Sequence, residues 1–174
     1  GWVTIGSCPL TEAVVQMSVD GGSQWEMVYL PPPAEQPDLY DISACDSHSP
    51  ILFSASHGVL AVSCMSWSDD TESENHFMYV TEDGGQTWRA SRYPGGELMF
   101  LNSDVGWALS RDLYESQDGG RNWTKIKTVN WDGQFSFVTD QLGWAVARND
   151  EEIALVWTQD GGQKWMEIKP KIAP

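Results

Sequence analysis

The feature that most constrains the fold is an eight-residue pattern, S/T-x-D-G-G-x-x-W, which occurs four times in this chain of 174 residues. The copies begin at Ser18, Thr81, Ser116 and Thr158. Self-similarity of this kind is typical of repeat architectures, and missing it would misassign the whole fold. The chain is therefore interpreted as a series of equivalent units.

Each copy has the composition of a tight hairpin turn. The aspartate carboxylate can accept hydrogen bonds from backbone N–H groups of its own turn, and the paired glycines allow the positive φ angles that such a hairpin needs. The tryptophan then begins the next strand, where its ring can be buried between layers. We expect structural roles for Asp20, Gly22, Trp25, Asp83, Gly85, Trp88, Asp118, Gly120, Trp123, Asp160, Gly162 and Trp165.

A second repeat lies between copies of the first. Residues 100–109 parallel residues 137–146, and both segments are predicted to form a strand, a turn and a strand. Residues 1–5 look like a truncated copy of this repeat, and residues 51–62 look like a degenerate one. The two patterns together predict several short strands for each unit.

The four eight-residue copies resemble the Asp-box, or BNR, repeat of sialidases, two-propeller xyloglucanases, sortilin-type receptors and photosystem II assembly factors. The resemblance covers nearly the whole chain. It implies an all-β fold, namely a β-propeller of four-stranded antiparallel blades. In these families the box joins the third and fourth strands of a blade, on the face away from the usual binding site.

The spacing of the copies predicts the domain organisation. Consecutive pattern aspartates lie 63, 35 and 42 residues apart, and a four-stranded blade takes about 40 to 50 residues. We expect a single propeller region over residues 1–174 with about four blades, which occupy approximately residues 1–30, 50–93, 96–129 and 132–170. The long first interval predicts an insertion over residues 31–49 and an extended loop over residues 66–76.

The first blade lacks its innermost strand, and the proline-rich end of the chain cannot supply a buried one. Propellers of about four to eight blades have to close into a ring. We therefore expect either part of a larger propeller or a chain that self-associates to cover its exposed blade ends.

Composition excludes some partners. The net charge is −15, and only 10 residues are basic, whereas nucleic-acid binding needs clustered Lys and Arg. There is no apolar stretch of the length that spans a membrane. We expect no nucleic-acid partner, no transmembrane segment and no cofactor, and an extracellular or cell-envelope location.

The three cysteines are Cys8, Cys45 and Cys64, and they lack the spacing of a metal site. One of them must stay unpaired within a monomer. Cys64 is expected to be buried in a strand as a small apolar side chain. A bridge from Cys45 to Cys8 or to Cys64 is compatible with the sequence, as is no bridge at all.

The face opposite the boxes, called here the upper face, is where we expect a binding site. Trp67 and Trp131 fall outside the two repeat patterns, and an aromatic ring in such a loop can stack on a sugar or anchor a protein. Arg111 and Arg148 each follow a repeat tryptophan by four residues and could pair with a ligand carboxylate. Asp69 and Asp70 belong to an acidic loop nearby.

Each of these residues also has a simpler interpretation. Surface tryptophans often cover neighbouring loops, the arginines could pair with local acids such as Asp112 or Asp150, and the acidic loop lacks the ligand spacing of a calcium site. No metal site is predicted. His48, His57 and His76 are scattered in the sequence and are expected to have turn and surface roles.

The predicted function is a non-catalytic scaffold that binds a protein or a carbohydrate through the upper-face loops. No catalytic residue is assigned, because the arginine cluster and the Arg-Ile-Pro segment of sialidases are missing. The alternative is a fragment of a glycoside hydrolase of the sialidase or xyloglucanase type. Such an enzyme needs two carboxylates across the sugar, and Asp132 and Asp150 are in plausible loops.

Overall fold

The structure is a computed structural model, and it describes residues 2–4, 13–68, 71–150 and 152–169. These residues form four antiparallel sheets and one short helix. The first sheet has three strands in chain order, as expected for a first blade without its innermost strand. They are β1 (Trp2–Thr4), β2 (Val14–Met17) and β3 (Glu26–Tyr29).

The second sheet is the largest and has five strands. It has the order β4-β6-β7-β8, and β5 also pairs with β6. A short helix, α1 (Leu39–Ile42), leads directly into it. Its strands are β4 (Ser43–Ser47), β5 (Ile51–Leu52), β6 (Gly58–Ser68), β7 (Thr71–Thr81) and β8 (Arg89–Arg92).

The third and fourth sheets each contain four strands, hydrogen-bonded in chain order. The third sheet consists of β9 (Glu97–Phe100), β10 (Gly106–Leu109), β11 (Asp112–Ser116) and β12 (Thr124–Thr128). The fourth sheet consists of β13 (Asp132–Phe137), β14 (Gly143–Arg148), β15 (Ile153–Thr158) and β16 (Met166–Glu167).

The chain divides into two compact units, Gly1–Tyr93 and Pro94–Pro174. In the first unit, the first and second sheets enclose a core that includes Val15, Leu60 and Phe77. In the second unit, the third and fourth sheets pack through Trp107 and Phe137, whose rings are stacked with centroids 4.0 Å apart. Each unit therefore has an apolar core between two neighbouring sheets.

All four S/T-x-D-G-G-x-x-W segments form the same turn, called here the D-G-G turn. In the second one, the Thr81 hydroxyl donates to Asp83 Oδ1 (2.9 Å) and accepts from the Gly85 N–H (2.9 Å). Asp83 Oδ1 also accepts from the N–H of Thr87 (2.9 Å). Gly84 and Gly85 have φ angles of 78° and 92°, which favour glycine. The residues of the sequence pattern thus form a closed network of hydrogen bonds, in which the serine or threonine and the aspartate hold the turn from both sides.

This network predicts a specific acid sensitivity. Hydrogen bonds from the Thr87 hydroxyl and backbone lower the pKa of Asp83 from 3.8 to about 2. Because the folded-state pKa is lowered, the turn stabilises the fold fully above pH 4, and this contribution is lost as the pH falls from 4 towards 2. Asp83→Asn should lower stability at neutral pH, and its difference from the wild type should narrow below pH 4. Urea unfolding between pH 6 and pH 2 measures this, and a difference that does not change with pH would contradict it.

The predicted insertion is shorter than residues 31–49, because its last part is a strand. Ser43–Ser47 pairs with β6, and a disulfide joins Cys45 and Cys64, which lie directly opposite each other in the two strands. Of the cysteine pairings that the sequence left open, the structure contains the Cys45–Cys64 disulfide. The remaining segment is ordered against the core, since Leu39 and Tyr40 are buried and the Tyr40 and Tyr79 hydroxyls lie 2.6 Å apart.

The extended loop predicted over residues 66–76 is also different in the structure. Strands β6 and β7 continue in register as far as Ser68 and Thr71, so most of this range is paired strand. The polar composition of the segment suggested a loop, but the hydrogen bonds that join two strands are made by the backbone, and Ser66 is also paired with Ser43 of β4.

Candidate functional site

The second unit holds a cleft of about 420 Å³. It is lined by three connections: residues 110–111 between β10 and β11, residues 129–131 between β12 and β13, and residues 149–150 between β14 and β15. Because the strands are antiparallel, these connections lie at the end of the sheets opposite the D-G-G turns at 116–123 and 158–165. This is the end at which the sequence predicted a binding site.

Three of the predicted site residues, Arg111, Trp131 and Arg148, line this cleft together. Arg148 is the last residue of β14 and pairs in register with Asp132 of β13. Arg111 instead lies in the turn before β11, because β10 ends at Leu109. Both arginine side chains are exposed. The two arginines, which are equivalent in the repeat, thus line one cleft, although one lies in a turn and the other at the end of a strand.

Asp112, which the sequence offered as an ion-pair partner of Arg111, pairs mainly with another residue. Lys125 Nζ lies 2.7 Å from Asp112 Oδ2, and this contact is the main cause that lowers the pKa of Asp112, to which the charge of Arg111 adds a smaller part. Among the described residues, no carboxylate lies within ion-pair distance of Arg111 or Arg148. Both guanidinium groups are therefore available to an anionic ligand.

Trp131 combines a packing role with its place in the cleft. Its ring is half-buried and meets the edge of the Trp165 ring with centroids 5.4 Å apart and planes at 86°. Trp165 is the tryptophan of the fourth D-G-G turn and packs in turn against Phe137. Part of Trp131 is thus fixed by the core of the second unit, which leaves a rigid aromatic surface at the cleft.

Asp132 and Asp150 line the same cleft, together with Asn130 and Asn149. The sequence alone left open whether these two aspartates belong to one site, and the structure places both in the lining of this cleft. Both aspartates are exposed to solvent. The cleft therefore offers cationic, anionic and amide groups next to an aromatic ring.

A wider depression of about 640 Å³ adjoins the cleft and shares Ser110, Asp132 and Arg148 with it. Two glycines shape its floor. Gly96 and Gly133 have φ angles of 83° and 140°, and a Cβ at either position would overlap the carbonyl oxygen of Leu109 or Val146, respectively. Backbone approaches this close need glycine, so no side chain can stand at these two positions of the lining.

The other predicted site residues are not placed by the structure. Asp69 and Asp70 lie outside the described residues, and of Trp67 only the backbone is described, which pairs with Glu72 across β6 and β7. These three assignments stay predictions.

A polar network in the second sheet was not found by sequence reasoning. Ser63 Oγ lies 3.0 Å from His76 Nδ1 and 3.3 Å from His48 Nε2, and His76 Nε2 lies 3.6 Å from Glu74 Oε2. Ser63 and His76 are directly paired in the ladder of β6 and β7. The register of β6 and β7 brings Ser63 and His76 together, and no spacing in the sequence reveals this pairing.

The described residues contain neither a metal-binding cluster nor a membrane-spanning helix. Within them, no group of three or more His, Cys, Asp or Glu side chains is arranged to hold a metal ion. None of the helices in this part of the chain has the length and apolar character needed to cross a membrane.

No protein-family model matches the chain. A curated protein, the vacuolar protein sorting/targeting protein 10 of Colletotrichum graminicola, is 26% identical over 163 residues. This match covers 88% of the chain and 9% of that protein.

Two solved structures are similar to the chain. One is described as YCF48 bound to D1 peptide, with a TM-score of 0.53 and 18% identity over 92% of the chain and 46% of that protein. The other is the GH74 enzyme of Niastella koreensis, with a TM-score of 0.52 and 16% identity over 96% of the chain and 29% of the enzyme. The chain thus spans less than half the length of each of these three proteins. These similarities confirm the predicted all-β, β-propeller fold.

Proposed function

We propose that the chain is a non-catalytic Asp-box propeller region that recognises a protein partner through the cleft of Arg111, Trp131 and Arg148. The observation that carries the proposal is one cleft at the end of two packed sheets, lined by a core-packed aromatic ring and by two arginines that form no ion pair with any described residue. The D-G-G turns are stabilising elements at the other end. The shared hydrogen bonds of all four turns support the Asp-box assignment.

The chemistry of the cleft favours a polypeptide segment with a carboxylate. Two guanidinium groups can form charge-assisted hydrogen bonds to that carboxylate. Asp132 and Asp150 can accept from an amino or basic group, and the Asn130 amide can bond to a peptide backbone. One side of the Trp131 ring can contact an apolar side chain. A ligand with all of these groups within the reach of one cleft is a short peptide rather than a neutral sugar.

The properties of similar proteins agree with this choice. The YCF48 structure holds a D1 peptide, and the protein from Colletotrichum graminicola is named for protein sorting. The Cys45–Cys64 disulfide supports an extracellular or cell-envelope location, since disulfides persist in oxidising compartments. Trp67, Asp69 and Asp70 stay predicted contact residues of the first unit, independent of this cleft.

The test is binding of a peptide panel in which each free C-terminal carboxylate has an amidated counterpart. Isothermal titration calorimetry should show binding of some carboxylate peptides, and amidation should weaken it about 10-fold or more, the cost of losing one charge-assisted hydrogen bond. Arg111→Ala and Arg148→Ala should each cause a loss of similar size. Arg121→Ala is the matched control, because Arg121 belongs to the third D-G-G turn at the opposite end.

The same measurement separates the proposal from its alternatives. Equal binding of amidated and free peptides, or Arg111 and Arg148 variants that bind like the wild type, would contradict a carboxylate site. If acidic oligosaccharides bind and depend on both arginines while no peptide binds, the partner is a carbohydrate.

A second candidate function is glycoside hydrolysis, favoured by one observation: Asp132 and Asp150 line the same cleft. Glycosidases place two carboxyl groups about 5 to 10 Å apart across the sugar. Both aspartates are exposed here, whereas a general acid usually lies in a sheltered environment. Release of product from β-glucans or aryl sialosides, abolished by Asp132→Asn and by Asp150→Asn, would establish the enzyme instead.

A further inference from the structure

Equivalent positions of the third and fourth sheets differ sharply in burial. Leu113 and Leu155 occupy the same place relative to their D-G-G turns, yet Leu113 is 0% exposed and Leu155 is 43% exposed. Leu109 and Val146 are likewise equivalent, with exposed fractions of 4% and 45%. The members from the third sheet are covered by the fourth sheet. The fourth sheet therefore presents an apolar face built like one that is buried elsewhere in the chain.

The first sheet shows the same contrast in burial, on the face that does not pack against the second sheet. Trp88 of the second D-G-G turn is 8% exposed and packs in the core between the first and second sheets, but its equivalent Trp25 is 41% exposed. Met27 and Tyr29 follow Trp25 at alternate positions of β3 and are also exposed. Alternate residues of a strand point to one side. Trp25, Met27 and Tyr29 thus form an apolar face on the first sheet.

These two faces are of complementary kinds. Where two sheets pack in the second unit, the later sheet contributes Phe137 and its D-G-G tryptophan, Trp165, while the earlier sheet contributes Trp107 and Leu113. The exposed face of the first sheet is of the later kind, since it carries Trp25. The exposed face of the fourth sheet is of the earlier kind, since it carries Leu155. The exposed face of the first sheet therefore carries the kind of side chains that would complete an interface with the exposed face of the fourth sheet.

We propose that the first sheet of one copy of the chain packs on the fourth sheet of a second copy, through Met27 and Tyr29 on one side and Val146 and Leu155 on the other. The contact continues an interface that the second unit already contains, which is why we assign it to another copy and not to an unrelated protein. Pairing through both faces is a head-to-tail arrangement.

The charge of the chain makes the association salt-dependent. Each copy carries a net charge of −15, so two copies repel each other until counterions screen them. We expect the dimer dissociation constant to fall as ionic strength rises. This salt dependence distinguishes an apolar interface between like-charged chains from one that ion pairs hold together.

Multi-angle light scattering tests the assembly. At tens of micromolar protein in 0.5 M salt, the wild type should have twice the chain mass of 19.4 kDa. Met27→Asp and Leu155→Asp should each raise the dimer dissociation constant at least 10-fold. Val138→Asp is the control, because Val138 is equally exposed but lies in the β13–β14 loop outside both faces, and it should leave the dimer intact.

Mixing the two variants gives the sharpest result. The Met27→Asp chain keeps an intact fourth-sheet face and the Leu155→Asp chain keeps an intact first-sheet face, so the mixture should recover heterodimers that neither variant forms alone. A monomeric wild type at both low and high salt would overturn the proposal. A dimer that Leu155→Asp breaks and Met27→Asp does not would also overturn it, because that result indicates pairing of two identical faces. Circular dichroism checks the fold of each variant. If Met27→Asp fails to fold, Tyr29→Lys takes its place, and if Leu155→Asp fails to fold, Val146→Lys takes its place.

Discussion

Trp107→Ala is expected to lower the free energy of unfolding by about 3 to 5 kcal/mol, the usual cost of removing a fully buried tryptophan side chain. Trp107 lies in the middle of β10 and is 0% exposed, and its ring stacks on Phe137 with 6° between the planes. Its indole N–H has no hydrogen-bond partner among the described residues. The loss is therefore one of apolar packing between the third and fourth sheets, with no hydrogen bond to subtract.

The repeat supplies a matched control for this substitution. Trp144 is the equivalent residue of the fourth sheet but is only half-buried, so Trp144→Ala should cost about 1 to 2 kcal/mol. Both variants are compared in the Met27→Asp background, which removes the proposed self-association and leaves only packing within the chain. Urea unfolding gives the midpoint and slope for each. Equal losses for the two tryptophans would contradict the packing described for the second unit.

Reduction of the Cys45–Cys64 disulfide is expected to lower the free energy of unfolding by about 3 kcal/mol, the usual value for closing a loop of this size. The two cysteines are 19 residues apart and directly opposed in β4 and β6. Cys64 is fully buried, so Cys45→Ala with Cys64→Ala should reproduce the effect without adding a buried polar group. Thermal unfolding with and without a thiol-free reductant measures the loss.

Cys8 is the control for this prediction. It is the remaining cysteine of the chain, so alkylation of the unreduced, denatured protein should modify Cys8 alone. Cys8→Ser should keep the sensitivity of the wild type to reductant. Labelling of all three cysteines without reductant would contradict the bridge, and an unfolding midpoint that reductant does not move would contradict its contribution.

The parts of the fold that sequence could predict are those that repeat. Four copies of the pattern predict the same turn four times. A serine or threonine, an aspartate and two glycines within five residues determine that turn without help from distant residues. The order of strands around each turn follows from it. The pairing of β4 with β6 could not be predicted, because it depends on a contact between distant residues that the other sheets do not repeat.

The candidate site was predictable to a similar degree. Repeat equivalence placed Arg111 and Arg148 at one end of neighbouring sheets, and the structure brings them to one cleft with Trp131. Sequence could not show that Lys125 pairs with Asp112 and so leaves Arg111 available, because that contact crosses from β12 to β11. Nor could it show that Trp165 fixes Trp131, since side-chain packing depends on how the sheet curves.

The disulfide has a further consequence for how the second sheet tolerates change. Residues 48–57 connect β4 to β6 through the short strand β5, and the bond between Cys45 and Cys64 spans this whole segment. A break in any peptide bond there leaves β4 covalently attached to β6 and in register with it. Residues 48–57 are thus a place in the first unit where the chain can be cut or given new ends while the molecule stays in one piece.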